Sequence, residues 1–377
     1  MEIENQNQSV SNGVAILIIL SLILTGLHGL ISIIFLMIIS RLNIGRDPKD
    51  KHGVSSGASR LGGVAILFSL LSGMMLNMYV TDNLNYENMI GQINPILLLS
   101  ICIGLVGLID DLRQNLSSLL RLASVLVITM IGLAMMPYLL PLELPIFMGI
   151  EGSIKVIFIY FFTTIMVCGF VNAGNIADGA NGLLSLSYLA FFYCLNIIDP
   201  SVLNLSVIIS LLIFVIYNIT TGRVFLGDFG AYFLSALVAF LCLDAYHNNE
   251  ISIFFFAAVL VYPCFEITRS LVFRILSRVS IMSPDNNHLH NKLNNYFLNN
   301  GLNLHQSNSM TGIFLACISS ALPVYLFING INYSDNLWFG LFVFEFLVLS
   351  SIYLLLSKIN LKNIFIFCVK PNFPYSH

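Results

Sequence analysis

The stretch KVIFIYFFTTIMVCGFVNAGNIADGANGL, residues 155–183, decides the fold class because it joins a long apolar run to a short polar segment. The run 155–172 carries charge only at Lys155, and it approaches the ~20 residues that an α-helix needs to cross a hydrocarbon core of ~30 Å. The segment Asn172–Leu183 then holds three asparagines, one aspartate and three glycines. We therefore predict a membrane-spanning helix that ends in a polar, glycine-rich segment.

Similar apolar runs recur along the whole chain. Of its 377 residues, 57% are hydrophobic and only 9% are charged, against about 25% charged in soluble domains. Because backbone polar groups in lipid need internal partners, and because the runs are too long and continuous for barrel strands, the runs predict helices. We predict an all-α, polytopic transmembrane helical bundle of about eleven helices, forming one integral membrane domain over 1–377. The runs are 13–40, 60–80, 93–109, 119–138, 155–172, 183–198, 202–217, 229–246, 251–277, 310–330 and 337–356.

The lysines and arginines indicate how the bundle is oriented. If eleven runs cross the membrane, the segments after odd-numbered runs share one side, and nearly all the basic residues fall there. Basic loops stay in the cytoplasm, so this side is predicted to be cytoplasmic, with the N-terminus outside and the C-terminus inside. The net charge of −3 gives no reason to expect a nucleic-acid partner. The basic residues on this side are Arg41, Arg46, Lys49, Lys51, Arg60, Arg113, Arg121, Arg223, Arg274, Arg278, Lys292, Lys358, Lys362 and Lys370.

Five polar segments also fall on the predicted cytoplasmic side. They are 55–63, 107–115, 172–183, 223–233 and 283–293, and the loops on the other side contain nothing comparable. The seven cysteines, in contrast, are scattered, mostly through apolar runs, without CxxC spacing, as expected of small buried residues. The sequence therefore predicts one active site at the cytoplasmic face.

Three aspartates lie at predicted helix ends. Asp110 and Asp111 end an apolar run, where the helix dipole and mutual repulsion disfavour two carboxylates, so we expect a cation, a metal or a transferred proton beside them. A solvated pair beside Arg113 is the alternative. Asp228 lies between two glycines just before another apolar run. It would either cap that helix or, because glycine permits close approach, meet a ligand.

Asn175 and Asp178 are three residues apart and would share one face of a helix. Together with Asp228 they offer hard oxygen ligands, which suit Mg²⁺ or Mn²⁺ and do not suit zinc. We therefore predict a Mg²⁺ site, with Mn²⁺ as the other candidate ion. A glycine-hinged turn between helices is the alternative explanation of this segment.

His288 and His290 follow a basic segment and precede Lys292. Imidazole and basic groups suit phosphate or pyrophosphate, and Arg60, with the serines and glycines of 55–63, would add to such a site. The i, i+2 spacing of the histidines does not match a zinc-binding helix, in which the two histidines are four residues apart. A solvated basic loop is the alternative.

Acidic and amide oxygens for Mg²⁺, together with basic groups for phosphates at a membrane face, favour phosphoryl transfer that involves a lipid. An ion-coupled secondary transporter is the alternative, since such proteins bind Na⁺ or H⁺ at intramembrane carboxylates. A transporter would place its carboxylates near the midplane and have two similar halves. Here the carboxylates of the polar segments gather at one face, and the sequence has no matching halves. A scaffold protein would not need these aspartates.

Four segments, in order, resemble the polyprenyl-phosphate N-acetylhexosamine-1-phosphate transferases, glycosyltransferase family 4. They are GLIDDLRQNLSSLLRL (107–122), VNAGNIADGANGLLSL (171–186), VFLGDFGAYFLSAL (224–237) and MSPDNNHLHNKL (282–293), and the resemblance covers Lys51–Leu293. It implies transfer of a sugar 1-phosphate from a UDP-N-acetylhexosamine to undecaprenyl phosphate, with release of UMP, at a Mg²⁺ site. The expected location is the cytoplasmic face of the bacterial inner membrane, and a homodimer is compatible with it.

The resemblance also implies roles for nine residues. The Asp pair and the first aspartate of the NxxDGxDGL pattern would be catalytic, the asparagine of that pattern and the GDxG aspartate would hold the metal, and the remaining residues would bind substrate. Either direct attack by the lipid phosphate or a covalent enzyme intermediate is compatible with these residues. The implied sets are catalytic Asp110, Asp111 and Asp178, substrate-binding Arg60, Asn181, His288 and His290, and metal-binding Asn175 and Asp228.

Several positions depart from the family pattern. Asn181 stands where NxxDGxDGL has its second aspartate, and 55–63 lacks the prolines of the usual PTPRxGG segment. The segment GDFGAYF and the surroundings of Glu266 are most similar to the branch that initiates O-antigen assembly, in which Asn also occurs at the Asn181 position. The third loop histidine of the peptidoglycan branch is absent. The resemblance therefore favours the start of a lipid-linked surface polysaccharide, such as the O-antigen of lipopolysaccharide.

Overall fold

The computed structural model describes residues 25–42, 45–46, 57–80, 94–113, 116–141, 152–248, 251–280, 285, 287–330 and 334–357. In these residues it contains thirteen α-helices, one short 3-10 helix and no strand, so the predicted all-α fold is confirmed. The helices are α1 (Thr25–Arg41), α2 (Gly62–Val80), α3 (Pro95–Arg113), α4 (Ser118–Met135), α5 (Gly152–Ala177), α6 (Leu183–Ile198), α7 (Val202–Thr221), α8 (Gly227–His247), α9 (Ile253–Val259), α10 (Val261–Leu276), α11 (Leu289–Asn299), α12 (Leu304–Ile328) and α13 (Asp335–Ser357), with the 3-10 helix at Pro137–Leu139.

The apolar runs of the sequence reappear as helices. Eight helices are long and apolar enough to cross a membrane, α9 and α10 together form a bent ninth unit, and α1 and α6 are shorter apolar helices. These units coincide with the eleven predicted runs, and the polytopic character of the protein is confirmed. Residues 1–24, 51–56, 81–93 and 358–377 lie outside the described residues, as do the predictions that fall on them. The side that faces the cytoplasm stays a prediction.

The sequence predicts one continuous run over 251–277, and this prediction is wrong in one respect, because the structure bends it. α9 and α10 meet at an angle of 80° around Leu260. Pro263 explains the bend, because proline has no N–H to offer the carbonyl of Val259, four residues earlier. The Ser320 hydroxyl of α12 donates to that carbonyl at 2.8 Å, so the freed acceptor is satisfied within the bundle.

Helix α8 lies at the centre of the bundle and is buried along most of its length. α3 packs closely along it, since Gly104 and Gly107 of α3 leave room for Phe233 and for the backbone at Asp228. A side chain at Gly107 would overlap the carbonyl group of Asp228. This packing brings the last turn of α3 beside the first turn of α8, and with them the carboxylates that both turns carry.

Cysteine labelling tests the predicted orientation. Basic residues gather at the end of the bundle where α3, α5 and α7 end, so this end should face the cytoplasm. In a cysteine-free variant, a single cysteine at Asn248, which is exposed after α8, should react with a membrane-impermeant thiol reagent in intact cells. One at Asn300, exposed after α11, should react only after the membrane is permeabilised. The reverse labelling pattern would show that the predicted orientation of the bundle is wrong.

Candidate active site

One cavity of about 420 Å³ lies at the end of the bundle where α3, α5 and α7 end and α4, α6 and α8 begin. Each of the five polar segments of the sequence contributes to its lining. Eight of the nine residues singled out from the sequence line this cavity, and Asp111 is the exception. The eight are Arg60, Asp110, Asn175, Asp178, Asn181, Asp228, His288 and His290.

A short backbone pairing delivers Arg60 to the cavity. The Ser59 amide donates to the carbonyl of Arg223 at 2.9 Å, and the Phe225 amide donates to the carbonyl of Ser59 at 2.7 Å. The residues before α2 are thereby aligned with the residues before α8. Arg60 and Asp228 come to lie side by side as a result.

Five charged side chains form an ion-pair chain in which acids and bases alternate. Arg60 contacts Asp111 (Nε to Oδ1, 3.3 Å) and Asp228 (Nη2 to Oδ1, 3.0 Å). Arg121 contacts Asp228 (Nη1 to Oδ2, 3.1 Å) and Asp110 (Nη1 to Oδ2, 2.7 Å). The alternation offsets the repulsion among three carboxylates that share one end of the bundle. It also supplies the cations that the sequence leads us to expect beside the Asp pair.

Asp111 is fully buried behind the cavity and caps α8 from a neighbouring helix. Its two oxygens accept the backbone N–H groups of Asp228 at 3.0 Å and of Phe229 at 2.8 Å, where the helix dipole favours an anion. The side chain of Asp228 makes no capping hydrogen bond and turns to the two arginines instead. The alternative of Asp228 as a simple N-cap is therefore wrong, and a catalytic role for Asp111 stays a prediction.

Asn175 and Asp178 occupy the last turn of α5 and the residue after it, and both line the cavity. Neither side chain makes a hydrogen bond or an ion pair with any residue that the structure describes. Burial, Asp228 and Asp111 raise the pKa of Asp178 to about 7, and Arg60 opposes this shift only in part. In contrast to the ion-pair chain, this carboxylate is open to a ligand.

The oxygen donors of the cavity fit a hard cation that shares its coordination with a substrate. Within the described ranges, no group of three His, Cys, Asp or Glu side chains forms a complete metal site. Mg²⁺ is often bound by one or two carboxylates together with substrate phosphates and water, so an incomplete protein cage suits this ion. Asn175 and Asp178 are the better donors, because both oxygens of Asp228 contact arginines.

Asn181 ties the turn after α5 to α7 and α12. Its Nδ2 donates to the Ser309 hydroxyl at 3.1 Å, its backbone N–H donates to Asn308 Oδ1 at 3.0 Å, and its Oδ1 accepts from Asn218 at 3.4 Å. The Ser309 hydroxyl gives its own proton to the carbonyl of Ile219. An aspartate at 181 would face this hydroxyl without a proton to share, which explains the departure from the family pattern.

His288 and His290, at the start of α11, lie beside a buried glutamate. Glu266 of α10 is fully buried, with Oε2 2.9 Å from His288 Nδ1 and Oε1 3.9 Å from His290 Nδ1. The two imidazole rings stack with centroids 5.1 Å apart and planes at 9°. The ring of His290 packs so closely on Gly179 that a side chain there would overlap it. The alternative of a solvated loop is wrong for this part of the chain, since α11 begins at Leu289.

Sequence reasoning missed three residues of the site. Arg121 bridges two aspartates, Glu266 holds the histidines, and Asn308 lines the cavity beside Asn181. Two of them leave a signal in the sequence. Arg121 lies in the first turn of α4, where the helix dipole disfavours a cation, so a carboxylate partner is indicated. Glu266 is the single acid of its apolar run, whereas Asn308 has no comparable signal.

Comparison with known proteins relates this site to a family. Residues 93–246, nearly all of α3 to α8, match the model described as glycosyl transferase family 4. A similar curated protein is the phospho-N-acetylmuramoyl-pentapeptide-transferase of Bacillus pumilus (strain SAFR-032), which is 27% identical over 215 residues. The match covers 50% of this chain and 63% of that protein, so the chain spans less than two thirds of the relative's length. Through residues 93–246, the chain is therefore similar to glycosyl transferase family 4.

Proposed function

We propose that this protein is a membrane enzyme that transfers N-acetylhexosamine 1-phosphate from a UDP-sugar to undecaprenyl phosphate and releases UMP. One observation carries the proposal: a single cavity at one end of a membrane bundle joins two arginines, two histidines and an open carboxylate. Arginine and imidazole suit phosphates, and a lipid substrate explains why the site is built at the end of membrane helices. The family match and the relative's name as a phosphosugar transferase support this reaction class.

The reaction needs no net proton transfer when the lipid phosphate enters as a dianion. An oxygen of that phosphate attacks the β-phosphorus of the UDP-sugar and forms a new P–O bond. The bond from the β-phosphorus to the oxygen that bridges the two donor phosphates breaks. UMP leaves with the bridging oxygen, and the sugar stays on a lipid diphosphate. The protein therefore has to bring the lipid phosphate and the donor pyrophosphate together, although both are anions. It also has to hold the attacking oxygen in line with the bond that breaks.

The ion-pair chain provides groups that hold these anions. Arg121 lies on the cavity wall, and the same cavity has apolar lining at Leu116, Phe214 and Phe225, which suits the start of a prenyl chain. We assign the lipid phosphate to Arg121 on this ground. Asp110 orients Arg121 and also accepts the Leu116 amide at 3.1 Å.

Asn175 and Asp178, with Asp228, would hold Mg²⁺. When bound, the ion would neutralise charge on the donor pyrophosphate and help UMP to leave. Asp178 contributes a carboxylate that makes no hydrogen bond or ion pair with a described residue, and Asn175 contributes an amide oxygen one turn earlier. The role that we give Asp111 is to hold the start of α8, and with it Asp228, in place.

We place the reaction at the cytoplasmic face of the bacterial inner membrane, as the first step of a lipid-linked surface polysaccharide such as O-antigen. The asymmetry of basic residues and the similarity of the GDFGAYF segment support this assignment. The relative's name makes an N-acetylmuramoyl-pentapeptide donor the competitor. The cavity does not favour the transporter alternative, because its carboxylates Asp110 and Asp228 lie in terminal turns of their helices and not at mid-span.

A donor panel tests the proposed function. Purified protein in detergent is incubated with Mg²⁺, undecaprenyl phosphate and one of several UDP-N-acetylhexosamines or UDP-N-acetylmuramoyl-pentapeptide, and UMP is measured. UMP release should require the lipid phosphate and a UDP-N-acetylhexosamine. If UMP is released only with UDP-N-acetylmuramoyl-pentapeptide, the O-antigen assignment is wrong and this sugar is the donor. If no donor gives UMP, the proposed transferase activity is refuted.

Variants of Asn181 and Asp178 distinguish a structural role in the site from a role in the reaction. Asn181→Ala should lower turnover much less than Asp178→Ala, because the Asn181 side chain is occupied by internal hydrogen bonds and the Asp178 carboxylate is open to the cavity. Asn181→Ala should instead cost about 1–3 kcal/mol of stability, since it leaves buried partners unsatisfied. UMP release and thermal unfolding of both variants measure the two effects. Equal losses of turnover would assign a substrate contact to Asn181.

A further inference from the structure

Glu266 has a fully engaged carboxylate beside the cavity, and it lies outside the residues matched by the family model. Its oxygens accept four hydrogen bonds, which fill the usual acceptor positions of a carboxylate. Because all four positions are used, the carboxylate is held in one orientation, and it fixes in turn the groups that donate to it. The donors are the Tyr262 hydroxyl (3.0 Å), the Leu289 amide (2.7 Å), Arg269 Nε (3.2 Å) and His288 Nδ1 (2.9 Å).

Tyr262 links Glu266 to His290 through two hydrogen bonds of its hydroxyl group. Its hydroxyl oxygen lies 3.0 Å from Glu266 Oε1 and 3.0 Å from His290 Nδ1. A hydroxyl has one proton and a carboxylate can only accept, so Tyr262 donates to Glu266 and accepts from His290 Nδ1–H. His290 then packs its ring on Gly179, the residue after Asp178. It is a support between α10 and the turn that carries Asp178.

His288 is fixed by Glu266 directly. Its Nδ1 lies 2.9 Å from Glu266 Oε2 and 2.9 Å from Arg269 Nη2. The two protons of that Nη2 already serve Asp285 Oδ2 and the Ser270 hydroxyl, each at 2.8 Å. His288 Nδ1 must therefore carry a proton itself, which it donates to Glu266. The other ring nitrogen, Nε2, makes no hydrogen bond to a described residue, and the ring lines the cavity.

We propose that Glu266 is a positioning residue that turns Nε2 of His288 into the cavity, toward a phosphate oxygen of the nucleotide donor. In its imidazolium form both nitrogens of a histidine ring are donors, so a ring whose Nδ1–H is held by a carboxylate presents Nε2–H to an anion. The two histidines then have different roles, since His288 contacts the donor and His290 supports the turn at Gly179. The identity of the ligand rests on the proposed function, whereas the protonation of the rings does not.

Glu266→Gln tests the positioning with little change in volume. If the glutamine oxygen keeps the Leu289 amide, its NH₂ group faces His288 Nδ1 and donates to it, which forces the ring proton onto Nε2. Nitrogen-15 NMR of histidine-labelled, full-length protein in detergent reports which ring nitrogen is protonated, and the His288 signals are identified by their loss in His288→Gln. We expect Nδ1–H in the wild type and Nε2–H in Glu266→Gln. An unprotonated Nδ1 in the wild type would overturn the inference.

Kinetics test the same variant independently. Glu266→Gln should lower kcat/KM about 10- to 100-fold, the range known for carboxylates that orient metal-bound histidines. The variant ring can still donate Nε2–H to the phosphate, but it loses the carboxylate that holds the ring in place and stabilises its charged form. The loss should lie mainly in KM for the UDP-sugar and not in KM for undecaprenyl phosphate. Glu345→Gln is the matched control, because Glu345 is also a buried glutamate but does not line the cavity. It should keep wild-type kinetics.

The outcomes separate this inference from the proposed function. An active Glu266→Gln with unchanged KM for the UDP-sugar would overturn the role of Glu266. A wild type that releases no UMP but has the expected ring protonation would refute the proposed reaction while supporting the positioning of His288 by Glu266.

Discussion

Asp178→Asn is expected to lower turnover at least ~100-fold, in a protein that still inserts into the membrane and extracts normally. This carboxylate lines the cavity with no hydrogen bond or ion pair to a described residue, and it is the only acid of the segment 172–183. Removing one group that stabilises developing charge in a transition state costs about 10²–10³ in turnover. UMP release measured over a range of Mg²⁺ concentrations should also reveal a higher Mg²⁺ requirement, because an amide is a weaker ligand than a carboxylate.

Asp199→Asn is the matched control for this variant. Asp199 is exposed at the opposite end of α6, so the substitution makes the same change in charge away from the cavity. Asp199→Asn should retain wild-type turnover. Near wild-type turnover of Asp178→Asn at an unchanged Mg²⁺ requirement would remove Asp178 from the catalytic and metal-binding residues.

Asp228→Asn should also lower turnover at least ~100-fold, through the two arginines that share its carboxylate. Asp228 accepts from Arg60 at 3.0 Å and from Arg121 at 3.1 Å, so it holds both guanidinium groups on one cavity wall. An amide keeps neither ion pair, and the arginines lose their common acceptor next to the place proposed for the phosphates. Turnover and the unfolding temperature in detergent should fall together, the first much more than the second.

Asp244→Asn provides the control within the same helix. Asp244 lies near the other end of α8 and does not line the cavity. It should therefore keep its turnover. If Asp244→Asn loses as much activity as Asp228→Asn, the losses reflect the stability of α8 and not the ion-pair chain. Wild-type turnover of Asp228→Asn would remove this residue from the active site.

The fold could be predicted from the sequence because the membrane sets a length for each helix. Apolar runs near that length are visible without any tertiary information, and they coincide with the helices. The bend between α9 and α10 could not be predicted to the same degree, although Pro263 is visible in the sequence. A proline only removes a donor, and the bend depends on the Ser320 hydroxyl of α12 that satisfies the freed carbonyl.

The site could be predicted as a set of residues but not as a set of contacts. Polar residues at helix ends identify which groups are available, and eight of the nine line the cavity. Which carboxylate meets which cation depends on how closely helices approach. Gly107 lets α3 approach α8 until Asp111 reaches the first amides of α8, which takes Asp111 out of the cavity lining and leaves Asp228 to the arginines. No spacing along the chain contains this information.

The fate of the donor's β-phosphate tests the proposed reaction most directly. A UDP-N-acetylhexosamine carrying radioactive phosphorus in its β-phosphate is incubated with purified protein, Mg²⁺ and undecaprenyl phosphate, and the lipids are extracted into organic solvent. We expect the label to enter the lipid fraction together with the sugar, and the nucleotide product to be unlabelled UMP. Label that stays in the aqueous phase as UDP while the sugar enters the lipid, or no transfer of either, would contradict sugar-phosphate transfer at this cavity.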